Sequence, residues 1–173
     1  MSYLVIAYPE LKPEDLQLMQ ACRKDHDELY PVVAPHFTMV FSTDNKTEQQ
    51  FVSEIYEQIT GIKKCRFVLR SAIVNKDAFS DHFHTFLVPD EGFSGLVKLH
   101  DKLYSGSFAG NLRLDISYIP HISIARSPDR FLCKKIADEW NNKNFVAKGE
   151  VNTLSIVRYA GGKVTLLEEI VLE

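Results

Sequence analysis

The chain has 173 residues, 45% hydrophobic and 25% charged, with a formal net charge of −3 and a pI near 6.1. That length suits one domain with a sizeable core, and the charge excludes a global basic field that gathers duplex nucleic acid by counterion release. No apolar run approaches membrane-spanning length, and the opening Met1 to Pro9 has neither a basic leader nor a signal-type apolar stretch, so a cytoplasmic protein is expected. Cys22, Cys65 and Cys133 are odd in number and widely spaced in apolar-patterned segments. They read as reduced structural thiols, not as a disulfide frame or zinc cluster.

Tyr3 to Tyr8 is predicted as a strand. Pro13-Glu14-Asp15 opens a helix, with proline in the first turn and acids at the positive end of the dipole; its stripe runs Leu16, Met19, Cys22, His26, Leu29. His36 to Phe41 reads as a strand, and Phe51, Ile55 and Ile59 mark a helix that Gly61 ends. Cys65 to Val74 and His82 to Val88 make a strand pair joined through Asn75 to Asp81. Phe93, Leu96, Val97, His100 and Leu103 mark a third helix, stopped by Gly106, and Asp115 to Arg126 contains another strand. Ser127 caps and Pro128 starts a fourth helix, with Leu132, Ile136 and Trp140 on one face. Val151 to Tyr159 and Val164 to Leu172 are strands that turn at Gly161-Gly162.

Two ten-residue stretches are copies of each other: Pro35-His36-Phe37-Thr38-Met39-Val40-Phe41-Ser42-Thr43-Asp44 and Pro120-His121-Ile122-Ser123-Ile124-Ala125-Arg126-Ser127-Pro128-Asp129. They lie 85 positions apart, about half the chain, and the same offset sets Phe51 and Ile55 opposite Ile136 and Trp140. Each half thus reads strand, helix, histidine strand, helix, strand. With no linker or low-complexity stretch between them, the halves are expected to pack as one unit over residues 1–173, lobe one spanning about 1–80 and lobe two about 81–173.

Successive odd or even residues of a strand share a face, so His36 lies beside Thr38 and His121 beside Ser123, while Phe37, Met39, Ile122 and Ile124 are left for packing. If the lobes are related by a two-fold, these polar faces meet across a cleft between central strands. Imidazole titrates near neutral pH, so one ring can serve as base while the other, protonated, serves as acid. The hydroxyls can donate to nonbridging phosphate oxygens without a metal. That is equipment for in-line displacement at a phosphodiester. The bland alternative is that each hydroxyl satisfies its own motif's histidine and the cleft is inert. Packing alone, however, gives no reason for both copies to carry Pro-His-x-hydroxyl.

His36-Phe37-Thr38-Met39 and His121-Ile122-Ser123-Ile124 resemble the paired His-x-[Thr/Ser]-x motifs of the 2H phosphoesterases, which include the bacterial 2′,5′ RNA ligase-like proteins and cyclic nucleotide phosphodiesterases. The resemblance covers nearly the whole chain; Ser123 stands where Thr is common, and Met39 and Ile124 where Leu is common. It implies a bilobal α/β (α+β) fold of two pseudo-symmetric β-α-β-α-β lobes, with a central cleft between antiparallel sheets. It also implies metal-independent hydrolysis with no cofactor, with His36 and His121 catalytic and Thr38 and Ser123 binding phosphate. Implied substrates are 2′,3′-cyclic phosphates, 2′,5′-linked oligonucleotides or cyclic phosphates derived from ADP-ribose, with 2′,5′-ligation as the reverse reaction. A monomer acting on a small nucleotide or short RNA-derived substrate, without membrane or duplex DNA, is expected. The residues leave open which histidine is the base, and a nucleotide- or phosphometabolite-binding module using the same cleft is the alternative function.

Arg126 stands where family members often carry a basic residue and is a candidate phosphate binder. A regular strand points it away from His121, so it reaches the site only by curling round the strand end; a surface role is the alternative. Tyr118 and Tyr8 are candidates to stack on a base, with core packing as the alternative. His82 and His84 have a two-residue spacing that can hold zinc or iron given a third ligand, the rival mechanism. His26 and His100 fall on or beside helical apolar stripes and are expected to be structural. Specificity is expected in the loops Lys76 to Asp81 and Gly106 to Leu114.

Overall fold

In the computed structural model, which describes all 173 residues, the elements run β1 (Ser2–Ala7), β2 (Glu10–Leu11), α1 (Pro13–His26), β3 (Phe37–Thr43), α2 (Glu48–Gln58), β4 (Cys65–Lys76) and β5 (Phe83–Glu91). They continue with α3 (Phe93–Leu103), a 3₁₀-helix (Gly106–Asn111), β6 (Ile122–Ser127), α4 (Arg130–Asn142), β7 (Ala147–Val151), β8 (Thr153–Ala160) and β9 (Lys163–Val171). The sequence reading finds the four helices and the main strands. It misses β2, β7 and the 3₁₀-helix, which are short and carry no period of their own.

Local chemistry sets several boundaries. Thr47 and Gln50 form a reciprocal capping box at the start of α2. The fourth helix starts later than expected: the Asp129 carboxylate caps it by accepting from the Phe131 N–H at 2.8 Å, while the Ser127 hydroxyl accepts from the Asp129 N–H. The β8–β9 turn places Gly161 and Gly162 at φ +56° and +74°, left-handed conformations that glycine adopts without Cβ strain. In α1, Met19 and Arg23 are buried, whereas the predicted stripe residue Leu16 is 37% exposed and Leu29 lies beyond the helix end. A guanidinium therefore occupies the core-facing position that the apolar pattern assigned elsewhere.

Two antiparallel sheets result, ordered β3-β1-β8-β9 and β2-β7-β4-β5-β6. The halves exchange strands: β4, from the first half, pairs with β5, and β8, from the end of the chain, pairs with β1. The boundary expected near residue 80 is accordingly no boundary between sheets, because each sheet draws on both halves. One 32-residue apolar cluster includes Phe37, Met39, Ile122 and Ile124 from the motif strands, Phe51 and Ile55 from α2, and Ile136 and Trp140 from α4. Burying each such large side chain contributes about 1.5–3 kcal/mol before entropy is counted.

Candidate active site

Both motif strands lie at sheet edges, not at the centres expected from the repeat. Each carries a bulge at the same place. Ile6 and Val5 of β1 face Thr38 and Val40, leaving Met39 as an extra residue; Phe86 and Thr85 of β5 face Ser123 and Ala125, leaving Ile124. Met39 and Ile124 are equivalent under the 85-residue repeat. Bulges are favoured at edges because the extra residue need not fit a second neighbouring strand.

The bulge reverses the alternation of faces beyond it. Met39 and Val40 are both fully buried, as are Ile124 and Ala125. Thr38 and Phe41 of one strand with His36 just before it, and Ser123 and Arg126 of the other with His121 just before it, therefore all line one cavity of about 800 Å³ between the sheets. That size is ordinary for a small-ligand site. Arg126 reaches it through the bulge, which corrects the expectation that a regular strand points it away.

The two histidines precede their strands and are held alike. His36 Nδ1–H donates to the Ala34 carbonyl at 2.8 Å and His121 Nδ1–H to the Ile119 carbonyl at 2.6 Å. A carbonyl only accepts, so this fixes the proton on Nδ1 and leaves Nε2 of each neutral ring with its lone pair. The hydroxyls do not serve the motif histidines, which disposes of the inert pairing. Burial lowers the pKa of His36, with Arg23 adding to the fall while the Ala34 carbonyl and Asp27 oppose it. Burial also pushes His121 down to about 4, against the Ile119 carbonyl and with help from His36 and His84. Burial thus favours the neutral form of both rings in the free protein, the state from which one of them must gain a proton to serve as acid.

Lobe two is more heavily braced than lobe one. The His84 Nδ1 and Ser123 Oγ are 3.2 Å apart, and His84 Nε2 lies 3.5 Å from the Asp77 carboxylate. Asp77 also accepts from the Ser80 hydroxyl at 2.6 Å and the Phe79 N–H at 2.9 Å, and lies 3.5 Å from Arg126. These donors and His84 hold its carboxyl below the usual range although burial pushes it up. Arg126 pairs with Glu28 as well and donates to Ser80 Oγ. Beside His36, Arg23 and Asp27 form a 2.8 Å ion pair whose side chains are 2% and 3% exposed.

Tyr118 does not line the cavity. Its ring stacks on His100 at 3.6 Å with planes 6° apart, and its hydroxyl donates to the Thr38 carbonyl. His100 Nδ1–H donates to the Met39 carbonyl, and the Phe41 N–H donates to Tyr104 Oη. The aromatic cluster thus satisfies backbone groups along the bulged edge strand β3. Tyr8 packs edge-on to His36, ring centroids 6.2 Å apart.

Of the predicted specificity loops, Lys76 to Phe79 line the cavity, but Gly106 to Leu114 do not; Asp115 to Ser117 do instead. The His82-x-His84 spacing gains no third ligand: no group of three or more His, Cys, Asp or Glu is arranged to hold a metal ion. All three cysteines are free thiols, Cys133 buried and the others half-buried. No helix is long and apolar enough to cross a membrane. Asp77, Glu28, Arg23 and Asp27 escape a sequence reading, although Phe41 and Arg126 were legible as the repeat's equivalent positions.

A sequence profile of the 2′-5′ RNA ligase superfamily matches residues 9–163. Relatives from Oceanobacillus iheyensis and Geobacillus kaustophilus, whose names assign them provisionally to the phosphoesterases, are 28% and 24% identical over 126 residues, 73% of this chain and 71% and 69% of theirs. The fold is similar to that of TT0787 of Thermus thermophilus (TM-score 0.62, 15% identity, 99% and 98% of the two chains) and E. coli LigT in apo form (0.56, 17%, 99% and 96%). It is also similar to Kluyveromyces marxianus Usb1 (0.56, 11%, 96% and 97%). LigT has been solved with 3′-AMP and with NADP+. With that profile running through both histidine strands, the chain belongs to the 2′-5′ RNA ligase superfamily of 2H phosphoesterases and is an enzyme of that class.

Proposed function

We propose that this cleft hydrolyses a phosphodiester in a small nucleotide or short RNA-derived molecule, a 2′,3′-cyclic phosphate or a 2′,5′ linkage, by two-histidine acid-base catalysis. The observation that carries the reading is the matched pair His36 and His121, each with Nδ1–H tied to a carbonyl and Nε2 left with its lone pair at the same cavity. One Nε2 takes a proton from water as the water oxygen bonds to phosphorus. The other, protonated when the anionic substrate enters, gives its proton to the leaving ribose oxygen as the P–O bond breaks. Thr38 and Ser123 donate to the nonbridging oxygens, and Arg126 offsets their charge.

Charge around the cavity favours a small substrate. Arg23, Lys76 and Arg126 face Asp27, Glu28, Asp77 and Asp115, so there is no surplus of positive charge for a chain of phosphates. Apolar Leu4, Ile6, Phe41 and Val157 offer a wall for the non-phosphate part. LigT's complexes with 3′-AMP and NADP+ are in keeping with a nucleotide ligand.

The test is turnover, in excess EDTA, of a panel of 2′,3′-cyclic nucleotides, 2′,5′-oligoadenylate and ADP-ribose cyclic phosphate. Turnover that survives EDTA and falls by about 10²- to 10⁴-fold in both His36→Ala and His121→Ala is expected. Binding without turnover marks the nucleotide-binding module instead, and loss of activity in EDTA marks a metal mechanism.

A further inference from the structure

Neither motif contains His84, yet it stands in the cleft between two groups with different tasks. Its Nδ1 is 3.2 Å from Ser123 Oγ and its Nε2 is 3.5 Å from Asp77. The ring is half-buried beside Phe86, centroids 5.3 Å apart, and the Phe86 ring in turn stacks on His121. Thr38, the repeat partner of Ser123, has no side-chain hydrogen-bond partner in the structure. The Ser123 hydroxyl alone is held by a second side chain, and that chain by a half-buried carboxylate.

We propose that His84, anchored by Asp77, is a positioning residue that turns the Ser123 hydroxyl proton toward the phosphoryl oxygens of the substrate. This rests on the reading of the cleft as a phosphodiester site. A hydroxyl has one proton and two lone pairs. When His84 Nδ1 carries hydrogen, it donates to Ser123 Oγ, and the serine proton is free to point into the cavity. When Nδ1 is bare, it accepts that same proton, and Ser123 turns lone pairs toward an incoming phosphate anion, which is repulsive. The Asp77 carboxylate favours a proton on Nε2, so both nitrogens carry hydrogen only in the imidazolium. That is the form which serves Asp77 and Ser123 at once.

The charges around the ring determine when that form is present. Burial and His82 disfavour a proton on His84, while Asp77 and, just past the end of α1, Asp27 favour it; Arg126 faces it from β6 and His121 from just before that strand. The balance leaves the free ring below its ordinary pKa, largely through burial. An anionic phosphoryl group in the cavity adds the missing favourable charge, so substrate binding draws one proton from solvent onto His84. Productive binding and the correct hydroxyl orientation are thereby coupled. Asp77 has a second hold on the site through Arg126, so its loss disturbs both phosphate-facing groups, whereas loss of His84 disturbs Ser123 alone.

The test is a double-mutant cycle between His84→Ala and Ser123→Ala, read as KM and kcat for a 2′,3′-cyclic nucleotide and as calorimetric Kd for inorganic phosphate. His84→Ala is expected to weaken phosphate binding and raise KM by about tenfold with little change in kcat, and to add less than about twofold once Ser123 is alanine. His84→Asn, whose amide nitrogen takes the place of Nδ1, should recover most of the loss. His84→Gln, which reaches toward Asp77 instead, should not. A structural role moves all three variants together, and their thermal unfolding serves as the control. Equal losses in the wild-type and Ser123→Ala backgrounds overturn this role and leave the phosphodiesterase reading standing. A wild-type protein that neither binds phosphate nor turns over any cyclic nucleotide overturns the phosphodiesterase reading and the role of His84 with it.

Discussion

The Phe86 ring lies flat on the His121 imidazole, with centroids 3.5 Å apart and planes within 15°. The contact shields one face of the ring from water, and burial is the main reason its pKa falls to about 4. Phe86→Leu should therefore move the His121 titration upward toward its ordinary value, followed by the shift of its ring protons in NMR. The acid limb of kcat/KM should move by the same amount. An unchanged titration assigns the desolvation to the rest of the cavity wall.

The same shift makes stability depend on pH. Above about 6.5 the ring is neutral in both native and unfolded chains and its contribution is complete. As pH falls below that value the unfolded chain binds a proton that the native chain refuses until about 4, so stability drops across this window by about 3 kcal/mol. His36 and His84, also lowered by burial, act in the same direction. Urea unfolding at pH 7.5 and 4.5 measures the loss, and His121→Asn should diminish it.

On the proposed reading, in which Arg126 faces the substrate phosphate, Glu28 competes with substrate for it. Its side chain is 62% exposed, so the pair is screened by solvent and readily exchanged for a phosphate. Glu28→Gln should lower KM by about threefold with kcat unchanged, more at low ionic strength than at high, whereas Arg126→Ala should raise KM. Steady-state kinetics at two salt concentrations decide it; a KM indifferent to Glu28 places the substrate phosphate elsewhere.

The Arg23–Asp27 pair is a stability element within the cavity wall. Arg23 also donates to Gln20, and the Asp27 carboxylate accepts from the Leu29 N–H at 3.0 Å, which fixes the chain as it leaves α1. Asp27→Ala leaves a buried guanidinium without its partner and should cost about 3–5 kcal/mol, a fall in Tm of about 10 °C. Replacing both partners by Met and Leu should recover most of that loss in a thermal melt.

Much of the site was legible because duplication writes the same instruction twice. His36 with Thr38 and His121 with Ser123 follow from period-two spacing within each copy, and Phe51, Ile55, Ile136 and Trp140 are buried as the shared register requires. The route by which Arg126 reaches the cavity is not legible in sequence, for a physical reason. A bulge appears in sequence only as two consecutive apolar residues, Ile124-Ala125, which regular alternation treats as one inward and one outward. For Tyr118 the sequence leaves two uses open, because an aromatic near a motif strand can stack on a ligand or pack, and only the tertiary contact with His100 reveals that it braces the backbone.

Taken by itself, the amino-acid order determined the four helices, the longer strands, the repeat and its paired His-x-hydroxyl motifs, since helical and strand periods, caps and turns are local properties of the chain. Tertiary structure alone decided that β3 and β6 sit at sheet edges, that the halves exchange β4 and β8, and that burial lowers the pKa of both motif histidines. It also brought Asp77, His84 and Ser123 together. Those outcomes depend on strand partners and burial contributed by residues far away in sequence, and neither has a signature in the residues they act upon.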